Sequence, residues 1–415
     1  MTPSSPAPVD PALGRRVLAV SSLGHFVNDG TTFFVPVIAA LLGLVRGFSP
    51  IEVTVLFVVY YVSAAGFGLF VGWWADRRGR PASLMAIGVT LLGVGLVGFS
   101  VTLAGSASGY DYPLALVSGL LTGIATSFYH PLGASLIQRT TAPEKRGLAL
   151  GINGAFGSFG RALYPFLFFV VGYFLVPSDG VLLFGLVGFA GASAISYGTR
   201  SVRADERRPG AATLTAPKES ALTPAILALT AVSFVRSVAM QGVAVWIPTY
   251  LTATQGVAAG SDLGLAVTVM YIGGILGQPV FGLAANSLDR RALIGLSSAG
   301  AALTTLGYLF TGGATAEILL FLVGFFTFSA FPLLMTLSSD YVPSGSSSLA
   351  NAVVFGLGSG GGGTVGPLIV GAIAAGGYAA LTQGFEVMVA LGLVAAFLVV
   401  LLPRGGRGAP RSLFG

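Results

Sequence analysis

Five ionisable side chains lie inside stretches that are otherwise apolar. His25 and Asp29 fall in Gly24-His25-Phe26-Val27-Asn28-Asp29, and His130 in Phe128-Tyr129-His130-Pro131; Arg161 closes Gly157-Ser158-Phe159-Gly160-Arg161, and Arg236 follows Phe234-Val235. A charge in such surroundings costs at least a few kcal/mol unless it is paired, hydrated or neutralised, so each of these groups invites a chemical reason. Asp29 can take up and release a proton. His25 sits one turn earlier on the same helical face and Asn28 is adjacent, so a proton can be shared between imidazole and carboxylate. The plainer alternative is that Asp29 and His25 only hydrogen-bond neighbouring helices. A guanidinium cannot escape by deprotonation, so Arg161 must face a carboxylate, carbonyl groups or a hydrated cavity; it either binds an anionic substrate group or pairs with ionised Asp29. Arg236, His130, Asn28, Gln241 and Tyr60 complete the candidate substrate contacts. His25, Asp29 and His130 are conceivable metal ligands, but a chain without cysteine and with few carboxylates leads us to expect no metal. No cofactor is expected either. The glycine run Gly356–Gly366 follows no strand and lacks a Lys-Ser or Lys-Thr ending, so it reads as helix packing rather than a phosphate loop. With no nucleophile, base and orienting acid in evidence, neither an enzyme nor an ATP-driven pump is expected.

Composition dictates what holds these groups in place. The 415 residues are 54% hydrophobic and 9% charged, and a soluble domain of that make-up would expose far too much apolar surface. The chain reads as a polytopic membrane protein of all-α class, because only helices keep their backbone groups paired in hydrocarbon when no closed barrel is present. At about 20 apolar residues per crossing, twelve spans fall at 17–45, 51–74, 82–104, 113–138, 147–175, 180–199, 223–252, 262–285, 291–312, 316–338, 348–375 and 382–402. Pro36, Pro131, Pro165, Pro248, Pro332 and Pro367 lie inside spans and are expected to kink or locally loosen them. Of the 21 Arg and Lys residues, 18 fall in the two tails, the central linker and the loops after the second, fourth and eighth spans. Both termini are therefore expected in the cytoplasm of a cell-membrane protein. The net charge of +6 marks topology and not a nucleic-acid partner. Residues 1–16 read as a disordered tail, 17–199 and 223–402 as two six-helix bundles, 200–222 as a cytoplasmic linker and 403–415 as a second tail.

The two bundles repeat. Gly72 matches Gly282, Pro36 matches Pro248, Gly123 and Pro131 match Gly324 and Pro332, and Pro165 matches Pro367, with offsets of 210, 212, 201 and 202. This is the pattern of a duplicated six-helix unit. Overlaying the copies sets Asp29 opposite Gln241, His130 opposite Phe331 and Arg161 opposite Gly363, so the titratable groups concentrate in the first copy.

Between the second and third spans lies the charged turn Gly72-Trp73-Trp74-Ala75-Asp76-Arg77-Arg78-Gly79-Arg80-Pro81. It resembles the Gly-x-x-x-Asp-Arg-x-Gly-Arg loop signature of the major facilitator superfamily. That resemblance implies a fold of two pseudo-symmetric six-helix bundles, with Gly72, Asp76, Arg77, Gly79 and Arg80 forming a cytoplasmic gate. Within the superfamily, Gly24-His25 with Asn28-Asp29 and Tyr129-His130-Pro131 are similar to motifs of the fosmidomycin-resistance-like exporters. The glycine-rich Gly154–Gly160 resembles their fifth helix. Leu132 stands where that branch often has an acid, and Arg161 and Tyr164 where small residues are usual, which shifts the expected cavity toward anions.

The resemblance implies a secondary active transporter that exports a drug-like or phosphonate compound against protons, acting as a monomer. The residues favour a small organic anion, with Asp29 and His25 carrying the proton. Proton-coupled uptake, uncoupled facilitated diffusion and a non-transporting receptor are the alternatives.

Overall fold

The computed structural model describes residues 10–78, 81–105, 109–141, 146–205, 222–285, 287–342, 350 and 353–403. Twelve spans among them are long and apolar enough to cross a membrane. The first copy contains α1 (Pro11–Arg46), α2 (Pro50–Arg78), α3 (Pro81–Ala104), α4 (Asp111–Thr140), α5 (Arg146–Val171) and α6 (Pro177–Gly198). After the short α7 (Arg200–Asp205), the second contains α8 (Pro224–Ala253), α9 (Ser261–Ala284), α10 (Arg290–Leu309), α11 (Gly313–Ser329), α12 (Phe331–Asp340), a π-helical turn (Val354–Gly361) leading into α13 (Gly362–Ile373), and α14 (Leu381–Leu398).

Two features differ from the sequence expectation. The first helix starts at Pro11 rather than 17, so Arg15 and Arg16 are helical and not part of a tail. Asp10 explains the early start: its Oδ1 accepts the Ala12 N–H at 2.9 Å, and proline at the first helical position loses no hydrogen bond. The charged turn is in fact the last two turns of α2, with the backbone of Gly72, Asp76 and Arg77 helical, because nothing before Pro81 forces the helix to stop. Gly79 and Arg80 lie outside the described residues. Of the prolines, Pro36, Pro131, Pro165, Pro248 and Pro367 stay within continuous helices. Only Pro332 marks a break, at Ala330, where it opens α12 without an N–H to offer the preceding turn. The glycine run begins in π-helical form, and Gly358, Gly362 and Gly366 press against Ser233, Phe234 and Val238 of α8, as helix packing requires.

By Cα proximity the chain forms two compact units, residues 1–35, 59–164 and 174–214 in the first and 36–58, 165–173 and 215–415 in the second. The second unit thus takes in the Arg46 end of α1, the Pro50 end of α2 and the Val171 end of α5 along with the whole second copy. Inside it, the Tyr378 hydroxyl donates to the Phe48 carbonyl at 2.5 Å, and Phe57 meets the Trp246 ring edge to face at 5.3 Å. Trp246 is fully buried and donates to the Pro367 carbonyl at 2.9 Å, so its part is structural.

Helix contacts reproduce the sequence repeat. In the first unit a Cβ on Gly123 would strike the Tyr60 carbonyl; in the second, one on Gly324 would strike the Met270 carbonyl. The offsets between these partners, 201 and 210, match those read from the motifs. Each glycine lets two helix backbones touch, and a carbonyl cannot move aside as a side chain can. Gly324→Ala is therefore expected to destabilise by at least about 2 kcal/mol, at the upper end of overpacking costs. Gly282→Ala, on α9 with nothing within 4 Å of the added methyl, should be neutral or slightly stabilising. Thermal unfolding of the two variants in detergent checks the contrast.

Candidate functional site

α1 is the most buried of the twelve spans, and it carries the centre of the site. Asp29 is 5% exposed and meets four nitrogens from three helices. Oδ1 accepts from Asn28 Nδ2 at 3.1 Å and faces His130 Nε2 of α4 at 3.3 Å. Oδ2 faces His25 Nε2 at 3.3 Å and Arg161 Nε of α5 at 3.5 Å. These contacts fill the lone-pair positions of one carboxylate, all within the first unit. Local sequence explains the convergence: His25 and Asp29 are one turn apart on α1, and Asn153, Gly157 and Arg161 recur every fourth residue along α5, presenting one face.

The tautomer of His25 follows from hydrogen-bond chemistry. His25 Nδ1 lies 2.8 Å from the Asn153 backbone oxygen and 3.0 Å from Asn153 Oδ1. A backbone carbonyl can only accept, so Nδ1 carries a hydrogen in every protonation state of the ring. Asn153 Nδ2 in turn donates to the Tyr129 hydroxyl at 2.7 Å, and that hydroxyl donates to the Ser21 carbonyl at 2.6 Å. The chain of bonds runs one way, and the Tyr129 ring stacks on the His25 ring at 4.8 Å. Nε2 is the ring nitrogen left to face Asp29. Without a proton between them, an imidazole lone pair would face a carboxylate oxygen at 3.3 Å. With one, the pair is held together. His25 and His130 thus each set an Nε2 3.3 Å from one oxygen of Asp29, close enough for a proton to lie between ring and carboxylate.

Arg161 supplies permanent positive charge beside this pair. At 3.5 Å its attraction to an ionised Asp29 amounts to about 5 kcal/mol at an effective dielectric of about 20. Its Nη2 donates to Ser158 Oγ at 3.0 Å, and the guanidinium lies over the Phe33 ring at 5.3 Å. Nε is buried and close to Asp29 yet makes no aligned hydrogen bond, so the grip is electrostatic and a guanidinium donor remains to be satisfied. His130, with a side chain 53% exposed, is the open edge of the cluster. The ligand atoms of His25, Asp29 and His130 all lie within 4.8 Å of one another, a spacing that a metal ion could span. Arg161 already brings positive charge to the same carboxylate oxygen as His25, which disfavours a second cation there.

The remaining candidates are not among the four groups that meet Asp29 directly. Tyr60 is 1% exposed, and its hydroxyl interacts with the side chains of Thr32 and Thr126. Arg236 and Gln241 belong to the second unit. Arg236 is 6% exposed and donates through Nη2 to the Phe326 and Thr327 carbonyls at 3.1 and 2.7 Å, next to the break at Ala330, while its Nε finds no hydrogen-bond partner among the described residues. Sequence reasoning missed Asn153 and Tyr129. The signal for Asn153 was its spacing from Gly157 and Arg161; Tyr129 directly precedes His130 in the same motif.

Comparison with known proteins identifies the scaffold. The sequence profile of the Major Facilitator Superfamily matches residues 21–355 and 258–414. The chain belongs to the Major Facilitator Superfamily. A Bacillus subtilis (strain 168) protein named "Uncharacterized MFS-type transporter YfnC" is 24% identical over 180 residues, which span 43% of this chain and 40% of that one, less than half its length. A bacterial homolog to the human lysosomal transporter Spinster, in an inward-facing and unoccupied conformation, superposes with a TM-score of 0.73 at 16% identity, covering 95% of this chain and 97% of that one. The nucleoside transporter NupG superposes with a TM-score of 0.71 at 13% identity, over 94% and 98% of the two chains. These likenesses show the fold: twelve membrane helices in two pseudo-symmetric sets of six, built for alternating access. In this Major Facilitator Superfamily member a methyl on Gly157 would collide with the His25 imidazole, whereas one on Gly154 would meet nothing within 4 Å. Gly157→Ala is expected to push the ring off Asp29, at an overpacking cost of about 1–3 kcal/mol, and to cut transport at least about tenfold. Gly154→Ala should leave transport intact. Flux assays on the two variants, each checked for folding, read the difference.

Proposed function

We propose that this superfamily member is a proton-coupled secondary transporter that moves a small organic anion, a phosphonate among the candidates, across the cell membrane by alternating access. The observation that carries this reading is the buried carboxylate of Asp29 set between a titratable partner, His25, and a permanently charged one, Arg161. With the His25–Asp29 site empty of its proton, Asp29 holds Arg161. With the proton present, Asp29 is satisfied by His25 and Arg161 turns to an anion. His130 and Asn28 border the same carboxylate, and Arg236, Gln241 and Tyr60 complete the proposed substrate contacts. The helical Gly72–Arg78 segment with Gly79 and Arg80 forms the cytoplasmic gate, and both termini lie in the cytoplasm of a monomer.

Export in exchange for protons is the reading that the resemblance to the fosmidomycin-resistance-like branch favours. One observation favours co-transport instead: His25 and Arg161 approach the same oxygen, Oδ2, so a proton on the pair frees the arginine for an anion. The experiment is to record an entrapped pH dye in sealed proteoliposomes while small organic anions and phosphonates are added. A compound that moves protons supports coupling, and the sign of the flux separates exchange from co-transport. Transport of a compound with no proton movement would leave facilitated diffusion. A compound bound but never moved would indicate a receptor.

A further inference from the structure

On the outer face of the first unit, α3 and α6 touch backbone to backbone where Gly188 meets Gly93. On the Arg200 side of that contact lies an open groove of about 500 Å³, lined by Thr90 of α3, by Phe189, Ala192, Ser193, Ser196 and Tyr197 of α6, and by Arg200. We propose that this groove binds one anionic phospholipid, with the phosphate on Arg200 and an acyl chain laid along Ala192 and Phe189.

Its dimensions fit a lipid better than a soluble anion. Phe189 lies nine residues before the end of α6 at Gly198, about 14 Å of helix, and half of a hydrocarbon core is about 15 Å. The groove is therefore one leaflet deep. The chemistry is graded along that depth. Just past the end of α6 Arg200 begins α7, with its guanidinium over the Tyr197 ring at 4.5 Å and no carboxylate paired with it among the described residues. Tyr197 is 67% exposed, as a ring at headgroup level would be. Deeper in, Ser193 Oγ donates to the Phe189 carbonyl at 2.8 Å and Thr90 Oγ1 to the Ala86 carbonyl at 2.9 Å. Both hydroxyl hydrogens are used within their own helices, so neither Thr90 nor Ser193 presents an unsatisfied donor to a hydrocarbon chain. The cation sits where a phosphate would, and the apolar floor where a chain would.

A zwitterionic lipid brings its own cation, so the site should prefer phosphatidylglycerol to phosphatidylcholine. The test is native mass spectrometry of the full chain released from mixed nanodiscs of the two lipids. The expected result is retention of phosphatidylglycerol over phosphatidylcholine, weakened roughly fivefold by Arg200→Gln. Arg200→Lys should retain most of the preference, and Lys218→Gln, which removes the same charge from the linker, should change nothing. Equal retention of the two lipids would overturn the proposal, as would a preference that survives Arg200→Gln. So would displacement of the lipid by inorganic phosphate, which would make Arg200 a site for soluble anions.

Discussion

Asp29→Asn is expected to reduce proton-driven transport to the level of protein-free vesicles while leaving a folded protein that still binds substrate. The amide keeps the shape of the carboxylate and can still donate to His25 or accept from Arg161, but it cannot hold the exchangeable proton. The charge balance changes too. Arg161 loses its only carboxylate in the cluster, and removing one partner of a buried pair costs about 3–5 kcal/mol where water is excluded. The Arg161 side chain is 21% exposed, so hydration offsets part of that cost and the variant should fold. The freed guanidinium should bind an anion at least as well as in the wild type, and substrate binding should lose its pH dependence. Asp29 faces His25, His130, Arg161 and Asn28, with Tyr60 and Tyr129 close by, and the histidines alone would have to supply any dependence that remained. The check is flux driven by a pH gradient, set beside equilibrium binding across pH. Driven transport in the variant at the wild-type rate would remove Asp29 from the coupling role and make His130 the next candidate.

Arg161→Gln should have the opposite signature. Charge-assisted hydrogen bonds to an anion are worth about 1.5–3 kcal/mol, so binding of an anionic substrate should weaken by about 10- to 150-fold. Arg161→Lys should not restore it, since an ammonium lacks the planar fork and would pull out of register with both Asp29 and Ser158. Equilibrium binding of phosphonates and small carboxylates to the purified variants measures the effect. Unchanged binding in Arg161→Gln would make the arginine a structural partner of Asp29 and nothing more.

Much of the scaffold was legible because membrane physics leaves few options. A bilayer demands long apolar helices, and the duplicated glycines and prolines fixed the two copies before any contact was seen. Gly123 and Gly324, paired by sequence offset, turned out to touch equivalent carbonyls, those of Tyr60 and Met270. Within the site, His25, Asn28, Asp29, His130 and Arg161 stood out because charge in an apolar helix is costly, and the fold brings all five together. What stayed hidden was the polar support. Asn153 and Tyr129 are neutral and commonplace in membrane helices, and only the backbone oxygen of Asn153 beside His25 Nδ1 shows that they determine which imidazole nitrogen faces Asp29. The partners of Arg236 were hidden in a different way: its bonds to the Phe326 and Thr327 carbonyls lie next to a helix break at Ala330, inside what reads from sequence as one span.

The central claim is that His25 and Asp29 share one proton whose occupancy is linked to anion binding. The most direct measurement is the proton balance of substrate binding in weakly buffered detergent solution, followed with a pH indicator and repeated at several pH values. The account predicts that up to about one proton moves per anion bound in the wild type, by linkage, and none in Asp29→Asn. Release of the proton would identify exchange, and uptake co-transport. Binding without any proton movement, or with the same movement in Asp29→Asn, would contradict the claim.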